Sequence, residues 1–481
     1  MNRKEKDFLV EVEVPVNAYY GIFTVRASNT FRLSGIMANQ KWIKAVITIK
    51  KAAALANTEL RTLDSRLWTA IVQAADEALA GKFDREFIID AFQAGAGTPT
   101  HMNVNEVLAN RANEILGGKK GEYKLVHPNN HVNMSQSSNN VMPSAIRIAA
   151  NELCMRLIDE IEVMEKEWDK KAQRYTKTMK CGRTHLMDAV PMTYGQMFSA
   201  YTKAIQSDKK TIEQSLEKIC EVSVGGTATG TGITAHPKFR ETIVNYINEI
   251  TNKTRDTRHK TQFIPAENPV EKTQSMNDFL LLSGALRLYA CTLNHISNDL
   301  RLLSSGPNAG IAEIKLPAVE PGSSIMPGKV NPSVPEAVNM VCWQVCGNDR
   351  AIELAAQSGQ LDLNWGTPLI AHNLLQSIEF LTNASRMFRE KCIDGMEVDE
   401  KRAKELLDTS FAHATALNPY LGYSMMSKIV TESQEKGKSI KELVLEKGLM
   451  DKKDLEKVLS VVGPAEVDIE ILKKTARKIQ G

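Results

Sequence analysis

The chain has 481 residues, 43% of them apolar and 24% charged, with a formal net charge of +3 at pH 7. A chain of this length outgrows a single compact core, so two or three domains are expected within an ordinary globular composition. Its 60 basic residues are scattered rather than gathered, which argues against nucleic acid as the main partner, since a phosphate-binding face concentrates positive charge.

The opening residues, MNRKEKDFLVEVEV, are charged where a signal peptide would be apolar. No uninterrupted apolar run reaches the roughly 18 residues that suggest a membrane span, so a cytoplasmic protein without a membrane partner is expected. Residues 1–140 mix short helical patterns with Gly-, Pro- and Asn-rich connections and read as a mostly helical N-terminal domain. After Pro143 the pattern changes. Ile146, Ala150, Leu153, Leu157, Ile161, Met164 and Trp168 step by four and three, as one face of a long helix does. A second stripe runs through Phe198, Tyr201, Ile205, Ile212, Leu216 and Ile219, and a third through Phe279, Leu282, Leu286, Leu293, Ile296, Leu300 and Leu303. Segments 335–358 and 369–392 also read as long helices. Together they predict a mainly α fold whose central domain, residues 141–395, is an elongated bundle. The stripes look wider than one chain needs, which suggests association through these helices. Residues 396–481, with shorter amphipathic pieces rich in Lys and Glu, read as a small helical C-terminal domain.

The seven cysteines (Cys154, Cys181, Cys220, Cys291, Cys342, Cys346 and Cys392) fall in apolar, helical surroundings and are expected to be reduced core residues. Cys342 and Cys346 lack a second Cys or His pair, so no zinc site is expected.

Four segments break the helical patterning with small polar residues: GAGTPTHMNVNE at 95–106, HPNNHVNMSQSSNN at 127–140, GRTHLMDA at 182–189 and PGSSIMPGKVNPSVPE at 321–336. In the last, Gly322 and Gly328 widen the backbone's choices while Pro321, Pro327 and Pro332 narrow them. Between them stand Ser323, Ser324, Lys329 and Asn331, just before a helix expected near Pro335. Loop N–H groups, hydroxyls and a lysine suit a site that binds a carboxylate and stabilises a carbanion. On spacing alone, a surface linker is an equal reading.

GSSIMPGKVNP resembles the signature of the aspartase/fumarase superfamily, and the other three segments resemble that family's substrate segments in the expected order. The likeness extends over nearly the whole chain and includes GGTATGTG at 225–232. It implies a three-domain helical subunit in a homotetramer whose central helices form a shared bundle, each site drawing on three subunits. It implies a small dicarboxylate substrate and no organic cofactor, and it leaves divalent-cation activation without an assigned site. VPVNAYYGIFTVRA, GQLDLN at 359–364, TALNPYLGY at 415–423 and GKSIKELVLEKGLM at 437–450 lean toward the aspartase branch. The implied reaction is therefore elimination of ammonia from L-aspartate to give fumarate. Elimination of water from L-malate, or action on another C4 dicarboxylate, is the alternative.

Such an elimination takes a weakly acidic proton from the carbon beside a carboxylate, so it needs a desolvated base and many donors around that carboxylate. The resemblance implies that Ser323 is the base and that Lys329 and Asn331 hold the α-carboxylate. It places the hydroxyls of Thr98, Ser137, Ser138 and Ser324 on the developing charge, and Asn139, Thr184 and His185 around the amino group. In fumarase-like members the matching histidine acts with a carboxylate, here Glu336, around water; for aspartate, His185 is expected to position rather than to protonate. His127 matches a peripheral carboxylate site in relatives but reads better as a turn residue. His236, His259, His295, His372 and His413 are expected to fill core or surface. Three departures stand out: His101 (with Pro99 beside it) where relatives commonly carry Asn, Asn140 where Asp is usual, and Met187 where Gln is usual. They bear on the accepted substrate more than on the reaction type. A catalytically silent homologue would have no physical need for Ser138, Thr184, His185, Ser323, Lys329 and Asn331 together.

Overall fold

The computed structural model describes residues 1–253 and 262–480, and the protein is mainly helical there. His259, expected to be a filling residue, lies outside the described residues. Helices run in the order α1 (Ile22–Thr30), α2 (Gln40–Glu59), α3 (Ser65–Leu79), α4 (Thr98–Ile115), α5 (Ser138–Arg174), α6 (Tyr194–Ile219), α7 (Phe239–Lys253), α8 (Glu271–Gln274), α9 (Asn277–Leu303), α10 (Ser333–Ala356) and α11 (Thr367–Phe388). Six shorter helices follow: α12 (Glu400–Thr409), α13 (Ala412–Leu421), α14 (Tyr423–Lys436), α15 (Ile440–Glu446), α16 (Lys452–Leu459) and α17 (Ile469–Gln480). Among the described residues the strands form four two-stranded sheets, of which β1 (Asn2–Lys6) with β2 (Glu11–Pro15) and β3 (Met179–Thr184) with β4 (Met187–Thr193) are the longest.

Two compact units divide the chain. The first gathers Met1–Asp159, Asp208–Cys291 and Val341–Asn383; the second gathers Glu160–Ser207, Thr292–Met340 and Ala384–Gly481. Each of the five long helices, α5, α6, α9, α10 and α11, gives part of its length to each unit.

Local chemistry sets the helix ends. Asn39 and Asp64 cap α2 and α3 by accepting from the backbone N–H of Lys41 and Arg66, which satisfies donors left over at a helix start. Ser439 and Glu442 close a reciprocal capping box on α15. In the first unit α2 packs on α3 and α7, and α3 on α4. Buried Arg147 of α5 donates to Lys218 O of α6 and pairs with Asp278 of α9 at 2.8 Å, tying three long helices together. In the second unit Trp168 of α5 lies 5.4 Å from Phe198 and 5.2 Å from Tyr201 of α6, measured between ring centroids. A separate cluster around Leu417, Ile429, Ile440 and Leu443 is the core of the C-terminal helices.

All the residues of the three sequence stripes are buried within the chain itself. The exposed apolar surface of these helices is a different one. On α9 an outward row of Leu281, Leu288, Cys291, His295 and Leu302 repeats at helical spacing, and on α10 Met340, Trp343 and Leu354 do the same. Trp343 is 61% exposed. These helices are apolar on two faces, and the sequence stripes mark only the inner one. Cys291, expected in the core, stands on the outer face for the same reason, whereas Cys154, Cys181, Cys342 and Cys392 are buried, and none of the seven cysteines is in a disulfide. By length and composition α9 would pass for a membrane span, but half of its most apolar stretch is buried inside the protein.

Candidate active site

The first group of predicted residues gathers in the first unit, at the starts of α4 and α5. Before α4 the backbone turns left-handed at Ala96 (φ 52°) and Gly97 (φ 85°). A Cβ on Gly97 would also press to 3.2 Å from Met142 and Trp42, so any other residue there would be strained. Thr98 opens the helix, donating its hydroxyl to Gly95 O at 2.6 Å, and Pro99 sits in the first turn, where a missing N–H costs nothing. Ser137 plays the capping part for α5: its carbonyl accepts from Val141 N at 3.0 Å and its Oγ from Asn139 N at 3.3 Å. Asn139 and Asn140 donate their amides to Ala228 O and Thr227 O, each at 2.7 Å, which brings the 225–232 glycine loop against the first turn of α5. Asn139 thereby keeps its amide carbonyl as an acceptor for a donor such as an ammonium. The departure at Asn140 has a structural consequence, because an ionised aspartate could not donate to Thr227 O.

A buried polar net lies beneath these helix starts. Lys50 of α2 is fully buried, its Nζ touching His101 Nε2 and bonding to Asn133 Oδ1 at 2.8 Å and Gln136 Oε1 at 2.9 Å. His101 Nδ1 in turn is 2.7 Å from Ser138 Oγ. Burial pulls both the Lys50 ammonium and the His101 imidazolium well below their usual ranges, and the Lys50 charge depresses His101 further. Sequence reasoning missed Lys50. Its signal was a lone cation inside the apolar stripe of α2, three and four residues from Ile47 and Val46. Other motif residues prove structural. Glu106 accepts from the N–H groups of Gly21, Phe23 and Thr24 at the start of α1, and burial pushes its carboxyl up to about 7. His127 Nδ1 accepts from Asn129 N and Asn130 N and so closes a turn.

The second group stands in the second unit, at the tip of the β3–β4 hairpin. Thr184 pairs with Met187 across a two-residue turn made by His185 (φ 57°) and Leu186 (φ 62°). Such a turn normally takes Asn or Gly, so two side chains here accept left-handed strain of about 1 kcal/mol or more each. Thr184, His185, Leu186 and Met187 are all exposed. The base of the hairpin is firm: buried Glu313 takes Arg183 at 2.6 Å and the Tyr194 hydroxyl at 2.5 Å. No hydrogen bond or ion pair joins His185 to Glu336 among the described residues; Glu336 instead lies 3.7 Å from Arg301.

The third group is the 321–332 loop, also in the second unit. Ser323 Oγ accepts from the backbone N–H of both Ile325 (3.2 Å) and Met326 (3.0 Å). Asn331 donates to Gly322 O at 2.6 Å, and Gly322 N donates to Lys329 O at 2.9 Å, pinching the loop shut at its neck. Ser324 and Lys329 are exposed, and Lys329 forms no ion pair among the described residues. Lys329 and Asn331 line a cleft of about 880 Å³ together with Arg301, Lys315, Lys401 and Arg402. Asp399 and Glu405 are its acidic members, and Asp399 is taken by Lys315 at 2.7 Å. This is a cationic cleft suited to a small anion. A serine oxygen receiving two N–H donors is better placed than a free one to bear negative charge. No group of three or more His, Cys, Asp or Glu side chains that could hold a metal ion occurs among the described residues.

Residues 10–347 match the family described as Lyase, and residues 414–462 match the family described as Fumarase C C-terminus. Curated relatives named aspartate ammonia-lyase include those of Bacillus subtilis (43% identical), Pseudomonas fluorescens (45%) and Escherichia coli (41%), each over 95% of this chain and 95% of the relative. Among solved structures, a fumarate lyase:delta crystallin from Brucella melitensis is 40% identical with a TM-score of 0.91, over 99% of this chain and 100% of that one. A class II fumarase from Schistosoma mansoni is 36% identical with a TM-score of 0.92, over 95% of this chain and 98% of that one.

The neck of the third group yields a direct test. A Cβ on Gly322 would fall 2.6 Å from both Asn331 N and Lys329 O, so Gly322→Ala must open the loop. Hydrogen exchange at the Ile325 and Met326 amides is expected to quicken about tenfold, with the buried amides of α5 unchanged. Unaltered exchange in the loop would show that the neck does not hold Ser323 in place.

Proposed function

This chain belongs to the aspartase/fumarase superfamily of lyases, and from that premise we propose that it is an aspartate ammonia-lyase, eliminating ammonia from L-aspartate to give fumarate. The choice of ammonia over water rests on the likeness, at 41–45% identity, to curated aspartate ammonia-lyases over 95% of the chain. Fumarate hydratase is the second reading, favoured by the likeness to a class II fumarase.

In this reading Ser323 removes the proton beside the β-carboxylate. The two N–H donations onto its Oγ support the assignment, since they stabilise the alkoxide that a serine base must become. Lys329 and Asn331 hold the α-carboxylate from the cationic cleft. Ser137, Ser138 and Ser324 donate to the carboxylate on which charge accumulates, Thr98 joins them by turning its hydroxyl away from Gly95 O, and the starts of α4 and α5 add their dipoles. Each donor that tightens as charge develops contributes roughly 1.5–3 kcal/mol, so a handful supplies a large part of the acceleration. Asn139, Thr184 and His185 surround the amino group, with His185 positioning it. Glu336, already beside Arg301, belongs to water activation only in the hydratase reading.

The active form is a cytoplasmic homotetramer whose sites collect residues from three subunits. Two observations support this: the outward apolar rows of α9 and α10, and the strained, exposed hairpin tip at His185, a conformation whose cost suits a segment held by a partner. No organic cofactor takes part.

Three outcomes test the proposal. Ultraviolet detection of fumarate should show much faster release from L-aspartate than from L-malate without added cofactor; equal or faster release from L-malate would favour the hydratase. Ser323→Ala, measured on folded assembly, should lower kcat at least roughly a hundredfold with a modest change in KM, while Lys329→Ala should raise KM as well. A Ser323→Ala enzyme with normal kcat and raised KM would reassign Ser323 to binding. Trp343→Glu should convert a tetramer into smaller, inactive species by light scattering, and an active monomer of the unsubstituted protein would remove the assembly from the account.

A further inference from the structure

His101 has two ring nitrogens and two partners. Nδ1 is 2.7 Å from Ser138 Oγ, and Nε2 touches the Lys50 ammonium nitrogen, whose other contacts are the amide oxygens of Asn133 and Gln136. Both of those oxygens accept only. With the buried imidazole neutral, two proton arrangements satisfy the whole net. In one, Lys50 is an ammonium that donates to His101 Nε2, Asn133 and Gln136, one hydrogen to each; His101 carries its proton on Nδ1 and donates to Ser138. The Ser138 oxygen is then an acceptor toward the protein, and its own hydrogen points elsewhere. In the other, Lys50 is a neutral amine that accepts from His101 Nε2–H, and Ser138 spends its hydrogen on His101 Nδ1. The two differ by one proton and by the direction in which Ser138 donates.

A dianionic ligand at Ser138 selects the first arrangement, because it needs the serine hydrogen and is drawn to the cation behind it. Resting on the reading of Ser138 as a carboxylate-binding hydroxyl, we propose that His101 is a positioning residue that turns the Ser138 hydroxyl toward the substrate carboxylate, with Lys50 fixing its tautomer. His101 touches no reacting atom; it acts through Ser138. This assigns a role to the departure from Asn: an amide at 101 reaches Ser138 but is too short to carry the link on to Lys50, whereas the longer imidazole does both.

Amide replacements separate the two nitrogens, since Asn places its amide near the imidazole Nδ1 and Gln near Nε2. The experiment measures fumarate affinity by calorimetry for the wild type, H101L, H101N, H101Q and S138A, and for H101L, H101N and H101Q each combined with S138A. Each is checked first for native circular dichroism and assembly. H101L should weaken fumarate about tenfold, H101N should recover most of that loss, and H101Q should not. In the S138A background all three changes at 101 should have no further effect, because the group they act through is gone. A full tenfold loss from H101L in S138A, or recovery by H101Q rather than H101N, would overturn the proposal. Fumarate is common to both directions of either reaction, so the cycle reads the same even if turnover proves the chain to prefer L-malate. A failure of the aspartate reading is thus told apart from a failure of this one.

Discussion

The unbroken burial of the α5 stripe from Ile146 to Trp168 is the constraint on which the rest depends. A helix of 37 residues is about 55 Å long, and an apolar row maintained over most of that length permits one rotation about the helix axis. Turning α5 by a single residue, about 100°, would carry Leu157 and Met164 into the exposed places of Arg156 and Val163. With that rotation set, Arg147 meets Asp278 and Lys218 O at one end and Trp168 meets Phe198 and Tyr201 at the other. The same rotation aims the first turn of α5. Ser138 then falls against His101, and Asn139 and Asn140 fall against the glycine loop. Within the first unit, the candidate residues at the start of α5 are therefore placed by the packing of the same helix around Arg147, and the glycine loop completes what the helix has already oriented.

How much of this is legible in the sequence follows from the range of the forces involved. The three stripes are periodic and local, so Phe198, Leu286 or Leu157 announce their burial without any neighbour being known. The polar segments are visible because Ser, Thr, Asn and Gly interrupt that period. Their contents are harder. Glu106 and Ser138 sit in similar-looking polar runs, yet Glu106 caps the start of α1, some 80 residues away in sequence, and that partnership leaves no periodic trace. Lys50 is hidden for the opposite reason: it is one cation among apolar residues, and its partners lie 51, 83 and 86 positions away. The outer face of α9 and α10 was legible only as excess. Width of apolar surface can be counted from sequence, but which face turns inward cannot, so the inner stripe and the outer row exchange roles without changing the count.

The loop around Ser323 shows how a site can be prepared without ionised partners. Neither Ser323 nor Asn331 leans on a charged side chain; the serine is held by two amides and the asparagine by a backbone carbonyl. Backbone donors do not titrate, so in the proposed reading of Ser323 as the base its support persists at every pH at which the loop keeps its shape. The cations that an anionic substrate requires are kept at the cleft wall, where Lys315 is neutralised by Asp399 while Lys329 is left for the ligand.

The departures at 101 and 140 act in one direction. A carboxylate at 140 would put a buried negative charge in the first turn of α5, close to the Ser138 hydroxyl proposed to receive a substrate anion; the amide removes it and secures the Thr227 carbonyl instead. An imidazole at 101 is neutral at ordinary pH, since burial and the neighbouring lysine both oppose its protonation. Lys50 therefore meets only neutral oxygens and a neutral ring, and no carboxylate pairs with it among the described residues. A buried cation without a counter-ion is costly in the empty protein. Burial therefore disfavours the Lys50 ammonium in the empty protein, and in the proposed reading a dianion at Ser138 favours it again, so that part of the ligand's affinity is coupled to one proton.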